Sequence, residues 1–157
     1  MSFTGDAEKD NFTTNGKEWN RLQRFFPEDK KIWAPFYCDG KQKEHFKEMG
    51  YDIIHEDEDF FENNKGDIVI DNPPFTKKKE VLLRLKELEK PFMLILPPVC
   101  LGYKYFQENF KDIQIIIPKS RIKFTQLGKT NTNYTPPFGS FVFCWSMNLA
   151  KDITFIE

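Results

Sequence analysis

The chain is poor in the features that mark secreted, membrane-bound or metal-stapled proteins. Its three cysteines, Cys38, Cys100 and Cys144, are an odd number with no paired spacing, and no Cys/His cluster has zinc spacing. This speaks against a disulfide scaffold or a zinc site and for a reduced compartment. No apolar run reaches the length of a membrane span, and the first residues carry no apolar signal segment. An excess of one charge is also missing. The formal net charge is −1 although 30% of the residues are charged, so any contact with nucleic acid or an anionic membrane must come from local patches. There is no glycine-rich phosphate loop, and His45 and His55 pair with no Ser or Cys that would make a triad, which removes the triphosphatase and hydrolase readings. The expectation is a soluble, intracellular protein with no membrane partner.

Aromatic residues, by contrast, are abundant. They make up 16% of the 157 residues, and 17 of them are Phe, enough for a packed core and for stacking surfaces in one domain. The periodicity alternates. A helix is expected over about Lys17–Phe26, with Trp19, Leu22 and Phe26 on one face, and strand Lys31–Trp33 follows. A helix over Lys41–Met49 ends at the C-cap candidate Gly50, before strand Tyr51–His55. Next come strand Asp67–Ile70, a helix over Lys77–Glu89, strand Phe92–Leu96, a short helix over Tyr103–Phe110 and strand Ile113–Ile117. Gln126–Pro137 reads as an exposed loop, and Ser140–Ser146 and Ile153–Ile156 are the last strands. Strands alternating with helices imply an α/β fold with a mainly parallel sheet of about six to seven strands. The last strands follow a loop, not a helix, so an antiparallel hairpin is expected at the sheet edge. Residues 1–10 are polar and acidic and read as a flexible N-terminus; residues 11–157 read as one domain.

One stretch organises the rest. Asp71-Asn72-Pro73-Pro74-Phe75 directly follows the apolar run Ile68–Ile70. Two prolines end the strand, since neither donates to a ladder. An amide, rigid prolyl carbonyls and an aromatic ring therefore stand at a strand's carboxyl end, where open α/β sheets bind ligands. The Asn72 side-chain oxygen and the Pro73 carbonyl can accept two N–H hydrogens from a flat amino-bearing group while Phe75 stacks on its face. Asp71 reads as a structural residue closing the strand.

Asn72-Pro73-Pro74-Phe75 resembles the catalytic tetrapeptide of amino-group methyltransferases, and the best match is to the small phage- and virus-type N6-adenine DNA methyltransferases. The resemblance implies a Rossmann-like class I fold, S-adenosylmethionine as cofactor and Asn72, Pro73, Pro74 and Phe75 as catalytic residues. It also implies a location in the cytoplasm or nucleus of a host. Ala34-Pro35-Phe36-Tyr37-Cys38-Asp39-Gly40 is similar to the family's first cofactor loop. Pro35, Phe36 and Gly40 match, Ala34 stands where the family has an acid, and Cys38 where it has its first glycine. Asp39 is available for the cofactor's ammonium. Glu56 or Asp57 would take the ribose hydroxyls, Asp59 the adenine amino group, and Phe60 would pack on the adenine ring. Asn11, Phe12 and Thr13, with Thr14, look like the family's N-terminal cofactor segment, and Asn72 also borders the cofactor. No metal is implied.

Two basic runs could grip a nucleic-acid backbone while the net charge stays near zero. Lys77, Lys78 and Lys79 open a helix, where cations oppose the dipole unless phosphate is near. Lys119, Arg121, Lys123 and Lys129 lie on a later loop, and Ser120–Phe124 with Pro137–Ser140 resembles the family's last-strands region. DNA is the expected partner. The chain has no separate target-recognition domain, so specificity would come from loops such as Gln126–Pro137 or from a second subunit, a homodimer included. The short spacing between first strand and catalytic motif implies a trimmed unit. The same motif fits RNA adenine or protein glutamine methylation. A catalytically silent fold-mate that binds nucleic acid or a partner is a further alternative.

Overall fold

Short apolar runs bounded by Pro, Gly and charged residues become the strands, and the amphipathic stretches between them become helices. The computed structural model of the protein describes residues 12–126 and 139–157. In chain order these form β1 (Phe12–Thr14), α1 (Gly16–Leu22), β2 (Ile32–Trp33), α2 (Lys41–Glu48), β3 (Ile68–Asp71) and α3 (Lys78–Glu87). Then follow β4 (Phe92–Leu96), α4 (Lys104–Asn109), β5 (Gln114–Pro118), β6 (Phe124–Gln126), β7 (Phe141–Trp145) and β8 (Ile153–Ile156). The expectations for residues 1–11, including Asn11, and for residues 127–138, including Lys129, lie outside the described residues.

Among the described residues, six strands form one sheet in the order β2-β3-β4-β7-β5-β8. β2, β3 and β4 pair in parallel, β7 is antiparallel to both β4 and β5, and β8 is parallel to β5. Five strands thus run one way and β7 alone runs against them. This corrects the expected edge hairpin. β7 is inserted inside the sheet, and β8 pairs with β5 and not with β7. The apolar β7, with Val142, Phe143 and Cys144 all fully buried, gains more by cover on both sides than an edge position offers. No helix among the described residues is long and apolar enough to cross a membrane.

Alternation along the strands sorts side chains onto two faces. Ile32, Ile68, Ile70, Met93 and Ile95 pack with Trp19 and Leu22 of α1 and Phe46 of α2. Trp33, Val69, Phe92, Leu94 and Leu96 pack with Val81, Leu82 and Leu85 of α3 and Phe106 of α4. All five residues of β4 are 0% exposed, which makes it the centre of a helix–sheet–helix sandwich. Each such aliphatic side chain contributes roughly 1.5–3 kcal/mol by leaving water.

The expected strand Tyr51–His55 shrinks to a single parallel bridge between Ile54 and Trp33. Ile54 N–H donates to the Ile32 carbonyl and its own carbonyl accepts from Ala34 N–H, both at 2.9 Å. The bridge nevertheless decides the topology. From β2 the chain steps outward to Ile54, then returns past β2 to lay β3 on the other side. The gap between the carboxyl ends of β2 and β3 is therefore the point where the winding direction reverses, and such a point opens a ligand crevice.

Candidate active site

Asp71 closes β3 at that crevice and is 1% exposed. Its Oδ2 accepts the Phe36 N–H at 2.8 Å, and its Oδ1 accepts the Asn72 N–H at 2.7 Å. Burial pushes its pKa up to about 8, against the pull of these donors. One carboxyl group thus fastens the backbone of both loops leaving the strand ends, at Phe36 and Asn72. Gln42 of α2 adds a bond from its Nε2 to the Ile70 carbonyl at 3.2 Å. Asp71 is structural, as the sequence indicated, but its reach to Phe36 and the part played by Gln42 had no local sequence signal.

The loop after β2 is firmly seated. Ala34, Pro35 and Phe36 are buried. Cys38 and Gly40 both take left-handed backbone, with φ of 54° and 77°. Glycine takes this conformation freely, whereas the Cys38 side chain makes it cost some strain. A Cβ at Gly40 would stand 2.6 Å from the Tyr37 Oη, so a side chain there would have to displace the Tyr37 ring. Asp39 Oδ1 accepts the Lys41 N–H at 3.1 Å at the start of α2. Behind the loop, the His55 ring stacks on Tyr37 with centroids 5.0 Å apart, and its Nδ1–H donates to the Ala34 carbonyl at 2.7 Å. Burial holds the His55 pKa below the usual imidazole value, which keeps the ring neutral.

The loop after β3 carries the tetrapeptide. Asn72 is half-buried, and its Oδ1 is buried with no hydrogen-bond partner among the described residues. Pro73 is buried, and the Pro74 carbonyl accepts the Lys77 N–H at 3.1 Å. The half-buried Phe75 meets Phe124 of β6 edge-on, with centroids 6.3 Å apart.

β1 and β6 form an antiparallel ribbon, with Thr13 opposite Thr125. The Thr13 side chain lies beside Cys38, while Phe124 packs on Phe75. The ribbon therefore touches both loops at once, and Phe12–Thr14 is brought to the crevice. Buried polar atoms without a hydrogen-bond partner among the described residues gather around this edge: Asn72 Oδ1, Thr14 Oγ1, His55 Nε2, and Ser140 Oγ just before β7. Buried polar atoms in folded chains are normally paired, so this concentration is what a polar ligand would satisfy. Thr14 and Ser140 lie in segments that the sequence singles out, but neither is read from it as a site residue.

The acidic stretch is placed differently from the tetrapeptide. Glu56 and Glu58 share Lys65, at 3.3 Å and 2.6 Å, and Asp57 is exposed. Asp59 Oδ1 accepts the Phe61 N–H at 2.8 Å and caps the short turn Phe60–Glu62. Phe60 is 1% exposed. Its ring meets those of Trp33 at 5.6 Å and Phe36 at 5.2 Å, so it supports Phe36 from below in place of offering a face to an adenine ring. Both basic runs leave strands at the same carboxyl edge. Lys77 is the residue before α3, and the Lys78 Nζ donates to the Phe75 carbonyl at 3.1 Å. Lys119, Arg121 and Lys123 are exposed, with Lys119 3.8 Å from the exposed Glu157 carboxylate.

Compared with protein-family models, curated proteins and solved structures, the chain matches none of them.

Proposed function

We propose that the protein transfers a methyl group from S-adenosylmethionine to the exocyclic N6 of adenine in DNA. The observation that carries this reading is the Asn72 Oδ1: a buried acceptor with no partner among the described residues, at the crevice between β2 and β3, followed by Pro73, Pro74 and a half-buried Phe75. An acceptor so placed calls for a donor, and an amino group on a flat ring supplies one.

The cofactor, when bound, supplies an electrophilic methyl on a sulfonium, which is released as a thioether. The chain's own groups fit such a ligand. The backbone from Pro35 to Gly40 would pass beneath its methionine part, Asp39 would face its ammonium, and Glu56 or Asp57 would take the ribose hydroxyls. Phe12 and Thr13 would close over it from the ribbon.

The adenine amine is a poor nucleophile because its lone pair is delocalised into the ring. Asn72 Oδ1 and the Pro73 carbonyl each accept one of its hydrogens, which favours a pyramidal nitrogen and holds it in line. Phe75 stacks on the ring face. The nitrogen gains the methyl and gives up one proton to water, so no strong base is needed. In a duplex the base must leave the stack to reach this pocket, and Phe75 offsets part of that cost, on the order of 1–3 kcal/mol. Lys77 and the loop Lys119–Lys123 grip the backbone at the same edge.

Calorimetry with S-adenosylmethionine, followed by labelled-methyl transfer onto DNA, RNA and protein pools, tests the reading. Binding followed by label in DNA adenine is the expected result. Label only in RNA or protein would move the substrate class, and absence of cofactor binding would overturn the enzyme reading.

A further inference from the structure

Next to the tetrapeptide lies a second cleft, of about 610 Å³, between the start of α3 and α4. Thr76, the residue after Phe75, forms part of its wall with Lys78, Lys79, Tyr103, Lys104 and Tyr105. The rings of Tyr103 and Tyr105 lie nearly parallel, with centroids 5.6 Å apart and planes at 21°. A lysine sits against each: Lys78 Nζ is 5.8 Å from the Tyr103 ring centre, and Lys79 Nζ is 5.4 Å from that of Tyr105. Tyr105 Oη is buried and has no hydrogen-bond partner among the described residues. Three ammonium groups face two carboxylates, Glu80 and Glu108, and only a long 3.9 Å pair links Lys104 to Glu108.

We infer that this cleft holds the single-stranded stretch of nucleic acid next to the nucleotide in the crevice, with a base on the Tyr103–Tyr105 platform and phosphates on Lys79 and Lys104. The inference rests on the nucleic-acid reading above and gives it a second subsite. Stacked tyrosines accept the face of any base, and lysines beside them accept phosphate, which is the combination that binds single strands without reading sequence. Lys78 bridges the two places: its Nζ donates to the Phe75 carbonyl and borders the Tyr103 ring. A strand lying in the cleft therefore passes directly to the Asn72-Pro73-Pro74-Phe75 loop. The platform would hold the strand on one side of an extruded base.

Fluorescence anisotropy with a short labelled oligothymidine tests this, because a strand without adenine isolates the cleft from the amino-group site. Tyr103→Ala is expected to weaken binding by about 10-fold or more. Lys79→Gln, at an exposed position that leaves the fold undisturbed, is expected to weaken it less and to lower the slope of affinity against salt by about one ion. Both variants should bind S-adenosylmethionine as the unmodified chain does. Oligothymidine affinity unchanged by both substitutions overturns the cleft proposal and leaves methyl transfer standing. Tyrosine-dependent strand binding without any cofactor binding supports the cleft and removes the methyl-transfer reading instead.

Discussion

The Asp71 carboxylate and the Phe36 N–H lie 2.8 Å apart across the crevice between two parallel strands. That bond fixes the spacing between the loop expected to carry cofactor and the loop expected to carry substrate. In Asp71→Asn one acceptor oxygen becomes an NH2 group facing a backbone N–H, and we expect a loss of about 1–3 kcal/mol. The pH dependence has a definite sign. The folded carboxyl is raised to about 8 from 3.8, so its contribution is full below the unfolded value and is lost as pH rises toward the folded one. Urea unfolding from about pH 5 to about pH 9 should show stability falling with pH through this group, and the slope should shrink in the variant. An unchanged slope would contradict the buried, protonated carboxyl.

His55 acts in the opposite direction. Its folded pKa lies below 6.5 because burial disfavours the charged ring. The unfolded chain therefore takes up a proton that the folded chain refuses, and stability is lost as pH falls below that value. We expect His55→Gln to lose less stability than the unmodified chain between about pH 7 and about pH 5, by the same urea measurement.

Cys38 holds a left-handed backbone with φ of 54° and an exposed side chain. Cys38→Gly removes the steric cost of that conformation and adds unfolded-state entropy. The expected net gain is at most about 1 kcal/mol, and Cys38→Val should lose about 1 kcal/mol or more. The urea midpoints of the two variants should therefore fall on opposite sides of the parent.

Phe124 is 1% exposed and carries the ribbon's contact with Phe75. Phe124→Ala should cost about 3–5 kcal/mol. Phe75→Ala, at a half-buried position, should cost less stability while cutting methyl transfer more. Thermal melts and labelled transfer on both variants separate the two effects.

The sequence was most legible where local pattern and burial coincide. β3, α3 and β4 follow from the apolar runs at Ile68–Ile70 and Phe92–Leu96 and from the face Val81, Leu82, Leu85. Pairings between distant segments were not legible. The match of Phe12–Thr14 with Phe124–Gln126 and the insertion of β7 between β4 and β5 depend on contacts more than a hundred and about thirty to fifty residues apart, respectively, which no local periodicity records. Tyr51–His55 had strand composition, yet it holds only two ladder bonds at the sheet edge. At the site, the amide and ring of Asn72 and Phe75 were readable from chemistry at a strand end. The Asp71–Phe36 bond joins residues 35 apart and needed the fold. The pair Tyr103 and Tyr105, flanked by lysine, read as the start of a short helix, and only its nearness to α3 gave it a possible role.

Labelled-methyl transfer to DNA by Asn72→Ala, with S-adenosylmethionine binding measured on the same sample, tests the role of Asn72 most directly. Cofactor binding is expected to persist while transfer falls by about 100-fold or more, as when one positioned polar group is removed from a transition state. A variant that transfers methyl groups at the parent rate would contradict the assignment of Asn72, and with it the site.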